Sequence, residues 1–76
     1  MKIIFADKYK SVDAAIKHAV CESAGSEESV TILAKDITDI EKILFQKCHD
    51  STLAGEYWGL DEDGKPWKIR VFEEVE

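Results

Sequence analysis

The chain has 76 residues, 45% of them hydrophobic and 34% charged, and its 16 acids outweigh its 10 bases to give a net charge of −6. A chain this short has room for one core and buries about 60% of the surface that its unfolded form exposes, so residues 1–76 read as one small globular domain, outside the disordered range of composition. Arg70 is the one arginine, and Lys8, Lys10, Lys17, Lys35, Lys42 and Lys47 are interleaved with acids, which argues against direct binding to nucleic acid or to an anionic membrane, since both call for a basic stripe.

The opening stretch, Lys2-Ile3-Ile4-Phe5-Ala6, is rich in β-branched and aromatic side chains and predicts a short strand. Its apolar run is four residues long. A signal peptide needs about 7 to 15 and a membrane span about 20, so the expectation is a cytoplasmic protein with no membrane association. Residues 7–10 turn the chain. Ser11 has the chemistry of a helix N-cap, with Asp13 in the first turn where it complements the helix dipole. Val12, Ala15, Ile16, Ala19 and Val20 then recur on one helical face, and the helix is expected to run to about Ser23, before Gly25 and a polar connector over Ser26–Ser29.

Val30–Ala34 predicts a second strand. Thr38 and Glu41 match the S/T-x-x-E capping box of a second helix. That helix would bury Ile37, Ile40, Leu44 and Cys48, with Ile43 beside them, and end near Asp50–Gly55. Glu56–Leu60 and Trp67–Phe72 predict a hairpin, closed by a three-residue loop, Glu62-Asp63-Gly64, with Gly64 at the left-handed position such loops need. The chain ends on the acidic stretch Glu73–Glu76.

These elements predict an α+β domain built as a two-layer sandwich. Its four-stranded mixed sheet would carry both helices on one face, in the order β-α-β-α-β-β, with a C-terminal β-hairpin. The first crossover should be parallel and right-handed. Local pattern does not set the strand order.

The hairpin register divides its side chains between two faces. Tyr57, Gly59, Trp67, Ile69 and Val71 form the core face, with the indole of Trp67 across the bare backbone of Gly59. The other face carries Glu56, Trp58, Leu60, Lys68, Arg70 and Phe72. Glu56 is expected to pair with Arg70, and Lys68 to lie over the Trp58 ring. In the other strands alternation works the same way: with Ile3 and Phe5 inward Ile4 would point outward, and with Val30 and Ile32 inward Leu33 would point outward. An apolar patch of several hundred Å² on a small monomer marks an interaction site. The sequence reading is therefore a non-enzymatic protein-interaction module. Its contact surface would be Trp58, Leu60, Lys68, Arg70 and Phe72, meeting a second copy or a different protein.

Other constellations are weaker. His18, Cys21, Cys48 and His49 are the ligand types of a zinc site, but Cys48 and His49 would stand about 100° apart on one helix. Cys21 falls opposite its helix's apolar stripe and Cys48 falls on one, so the expectation is two free thiols with no metal and no cofactor. A Cys21–His18 nucleophile would need an orienting group and a cleft. Asp61, Asp63 and Gly64 lack the remaining ligands of a calcium loop and suit a turn. The acids suggest the alternative function: a small acidic inhibitor that imitates nucleic acid, as phage-type anti-defence proteins do, against a nucleic-acid enzyme.

Overall fold

The computed structural model describes residues 2–26, 28–52 and 55–74. In chain order they form β1 (Lys2–Phe5), a single 3-10 turn (Ala6–Lys8), α1 (Val12–Ser23), β2 (Val30–Ala34), α2 (Thr38–Lys47), β3 (Asp50–Ser51), β4 (Glu56–Leu60) and β5 (Pro66–Glu73). The strands make one mixed sheet in the order β1-β2-β5-β4-β3. β1, β2 and β5 run parallel, and β4 is antiparallel to both β5 and β3. Glu27, in the polar connector, and Val75 and Glu76, in the acidic end, lie outside the described residues.

The fold is α+β with a mixed sheet and two helices, but the sheet has five strands where four were expected. The additional strand, β3, is two polar residues long and has no hydrophobic alternation of its own. It exists because β4 has a free edge. The His49 N–H donates to the Trp58 carbonyl at 2.8 Å and the Thr52 N–H to the Glu56 carbonyl at 2.9 Å. α2 accordingly ends at Lys47, earlier than the expected Asp50–Gly55, a span that includes residues 53 and 54 outside the described set.

The core lies between one face of the sheet and both helices. Ile4, Val30, Ile32, Ala34, Tyr57, Trp67, Ile69 and Val71 from the strands pack in one cluster with Ala15, Ile16, Ala19, Ile40 and Leu44 from the helices. α1 starts as its sequence predicts, because the Ser11 hydroxyl accepts from the Ala14 N–H at 3.1 Å. The capping box on α2 does not form. Asp36 Oδ1 accepts from the Thr38 N–H at 3.0 Å in its place, and Glu41 is engaged elsewhere, accepting from the Tyr57 hydroxyl at 2.9 Å. The Thr38 N–H and hydroxyl hold the Asp36 carboxyl below its ordinary range.

The hairpin closes as expected. The Asp61 N–H donates to the Lys65 carbonyl and the Gly64 N–H to the Asp61 carbonyl, at 2.9 and 3.0 Å, with Gly64 at φ +79°. Asp61 Oδ1 also accepts from the Asp63 and Lys65 N–H groups. At its start β5 extends past β2, whose first residue, Val30, pairs with Ile69. The backbone of Lys68 is therefore left without a strand partner on that side. The Ser23 hydroxyl fills the gap, accepting from the Lys68 N–H at 2.7 Å and donating to the Lys68 carbonyl at 3.0 Å. Ser23 is fully buried, so it joins the end of α1 to the sheet with no water to replace it.

Ser23→Ala should leave the Lys68 N–H and carbonyl unpaired and cost about 1–3 kcal/mol, read by chemical denaturation. Gly59→Ala should also destabilise, since a Cβ there would stand 2.7 Å from Trp67 Cζ2. An unchanged midpoint in either variant would contradict the packing described.

Candidate functional site

The strand registers place a set of side chains on the sheet face opposite the helices. Phe5, Leu33 and Phe72 stand side by side across β1, β2 and β5. Beside them runs Ile3–Thr31–Arg70–Glu56, and beyond that Lys68–Trp58–Asp50, with Leu60 opposite Pro66 at the far end. Among the described residues no helix covers this face. Ile3 is 50% exposed, Phe5 40%, Trp58 43%, Leu60 46% and Phe72 45%.

All five expected contact residues lie on this face: Trp58, Leu60, Lys68 and Phe72 exposed, and Arg70 half-buried. Tyr57, Gly59, Trp67, Ile69 and Val71 are buried on the other side, as the hairpin register predicts. In β1 the sides run the other way. Ile4 is buried at 6% exposure, and Ile3 and Phe5 face outward. The parallel pairing of Ile4 with Ile32, a fully buried position, settles which way β1 turns. Four consecutive apolar residues carry no alternation from which that could be read. The reversal enlarges the apolar area at the β1 edge.

Two polar contacts shape the face. Arg70 and Glu56 are direct cross-strand neighbours, with Nε and Oε1 2.9 Å apart. The contact is an ion pair by distance, because the Nε–H makes no aligned hydrogen bond. Lys68 is opposite Trp58 in the register but does not take up the ring as expected. The Trp58 ring is stacked with His49, centroids 6.1 Å apart and planes at 28°, and the lysine over a ring is Lys8, 5.3 Å from the centre of Phe5.

The groups that suggested chemistry have separate partners. His18 meets Glu22 at 3.2 Å and the edge of Tyr9, whereas His49, beyond the end of α2, lies on Trp58. Cys21 is exposed and Cys48 half-buried, both as free thiols. The Cys48 thiol donates to the Phe45 carbonyl. Among the described residues no three His, Cys, Asp or Glu side chains come together as a metal site. Glu22 is held below its ordinary carboxylate range by its hydrogen bond to Lys2, an exposed contact.

A shallow groove runs between α2 and the end of the sheet, lined by Ile37, Glu41, Phe45, Tyr57, Val71 and Phe72 among others. Its polar centre is the Tyr57–Glu41 hydrogen bond. Burial, and then the neighbouring Glu41 carboxylate, push the Tyr57 phenol up to about 12. Among the described residues no helix is long and apolar enough to cross a membrane. No family model, no curated protein and no solved structure matches the chain.

The Tyr57 phenol is raised above its unfolded value of 10.0, so its contribution to stability is whole below pH 10 and is lost as pH rises through about 12. Alkaline unfolding should therefore set in across that window. Glu41→Gln keeps an acceptor but removes the charge, and should lower the late tyrosinate step seen by absorbance. A step that stays in place would show burial and the hydrogen bond, without the charge, to be responsible.

Proposed function

We propose that the chain is a non-enzymatic protein-interaction module that uses its open sheet face as the contact surface. The observation that carries this reading is the row of half-exposed Phe5 and Phe72 flanking Leu33, with Ile3 beside it and Trp58 and Leu60 across the same face. An antiparallel or mixed sheet with one solvated face ordinarily alternates polar outward. Here six outward positions are large and apolar, five of them exposed. Covering what remains exposed of each is worth on the order of 1–2 kcal/mol at about 25 cal/mol per Å², before the costs of association. Trp58 is the anchor, since buried aromatics and arginine dominate interface energetics.

One observation favours a second reading, a small acidic inhibitor that imitates nucleic acid. The acids that the strands put on the open face are Asp50 and Glu56, while Glu41, Asp61, Glu62, Asp63 and Glu73, with Lys17, Lys42 and Lys47 among them, border grooves on the helix side. Charge would then act from the helical side, against a basic enzyme surface.

The two readings differ in salt response. Affinity capture from lysate at low and high salt, with wild type and with Trp58→Glu and Phe72→Glu, separates them. A partner retained at high salt and lost at least tenfold in either variant supports the sheet face. A partner released by salt and held equally by all three proteins would transfer the function to the acidic side.

A further inference from the structure

We infer that the occupant of the open face is a second copy of this chain, in a two-fold dimer whose axis runs along the strands between β4 and β5. The inference rests on the sheet-face reading and names its partner.

Charge is the first ground. The protein as a whole carries −6, which would drive copies apart if the acids were spread evenly. They are not. The charged groups that the strands place on the open face are Lys68, Arg70, Glu56 and Asp50, two of each sign. With Lys8, which rests on the Phe5 ring at the edge of the same face, each face carries three bases and two acids, so two such faces meet without the acid excess that the whole chain carries. A basic partner, which the whole-molecule charge would invite, has no acidic ring to meet on this face.

Self-complementarity is the second ground. A homodimer interface must match itself under its two-fold: if residue i meets j, then j meets i. Arg70 and Glu56 sit directly opposite each other on adjacent strands. An axis between those strands brings Arg70 of one copy over Glu56 of the other, twice, closing a ring of four alternating charges. The same operation sets Lys68 against the Trp58 of the second copy, the cation–ring contact that does not form within one chain, where Trp58 lies on His49.

Under this axis β5 lies over the partner's β4 and β2 over its β3, while β1 at the sheet edge has no strand opposite it, so Trp58, Lys68, Arg70 and Leu33 are covered and Ile3 and Phe5 form the rim.

Absolute mass by light scattering after gel filtration tests this on the full chain. Wild type should be a dimer, and Trp58→Glu a folded monomer by circular dichroism. Glu56→Arg and Arg70→Glu should each be monomeric, because each puts like charges across the axis. Mixed in equal amounts, those two variants should form a one-to-one heterodimer, since every crossing then pairs Arg with Glu. Repair of an internal fold defect could not produce that result. A wild-type monomer would overturn the dimer and leave the sheet face open to a foreign partner, which the capture experiment reads separately. A dimer that survives Trp58→Glu would overturn both. A mixture that stays monomeric would overturn the placement of the axis, and the inference with it.

Discussion

The indole of Trp67 lies against the bare backbone of Gly59, and the faces of the molecule depend on that contact. There is no room for a Cβ at residue 59, where it would meet Trp67 Cζ2 at 2.7 Å. The pairing of β4 with β5 closes in this register because residue 59 has no side chain. Strand side chains alternate with a period of two, so one register assigns every residue of both strands to a side. β5 also pairs with β2, and β2 with β1, so the assignment passes across the sheet. A slip of one residue would carry Lys68 and Arg70 into the core, at the heavy cost of burying unpaired charge. The same Trp67–Gly59 contact that fills the core therefore holds Trp58 and Phe72 outward.

Coverage of the sheet is limited by chain length. α1 has 12 residues and α2 has 10, and both are spent on one face. α1 approaches closely because Ala15 and Ala19, small and fully buried, flank Ile16 on its inner stripe. Where the strands fall short, side chains complete the hydrogen bonding. Ser23 substitutes for a missing stretch of β2 beside Lys68, and Asp61 gathers the N–H groups of the hairpin loop. A small domain has little stability in reserve, and the buried Ser23 contact is a place where one atom decides an element's seat.

Much of this was legible in the sequence, wherever one local signal stood without a rival. The hairpin was readable because Gly64 and the alternation on both sides of it agree. α1 was readable because Ser11 precedes a regular apolar stripe. The misses have a common physical form, in which a tertiary partner outbid a local one. Glu41 could have closed the box on Thr38, but the buried Tyr57 hydroxyl needed an acceptor and took it. Lys68 could have covered Trp58, but His49 follows α2 directly onto that ring. β3 has no signal of its own, because it is made by the free edge of β4. The turning of β1 depends on the pairing of Ile4 with Ile32, a contact between residues 28 positions apart.

The outward residues of the open face separate what the fold requires from what it does not. Thr31, in the middle of β2 on that side, is a hydroxyl-bearing strand former that lies buried between Ile3 and Arg70. Phe5, Leu60 and Phe72 point away from the core, so filling it does not call for their bulk. Threonine would serve strand propensity as well at each of these positions and would leave the surface less prone to association. Edge strands are commonly protected by charge or by shortness. β3 is short, whereas β1 presents Ile3 and Phe5 on its open side, with Lys8 resting on the Phe5 ring. Strand formation accounts for residues that are β-branched or aromatic, but it does not account for their being apolar on the side the helices leave bare. That surplus of apolar surface is the part of the sequence that folding leaves unexplained, and the proposed contact surface would account for it.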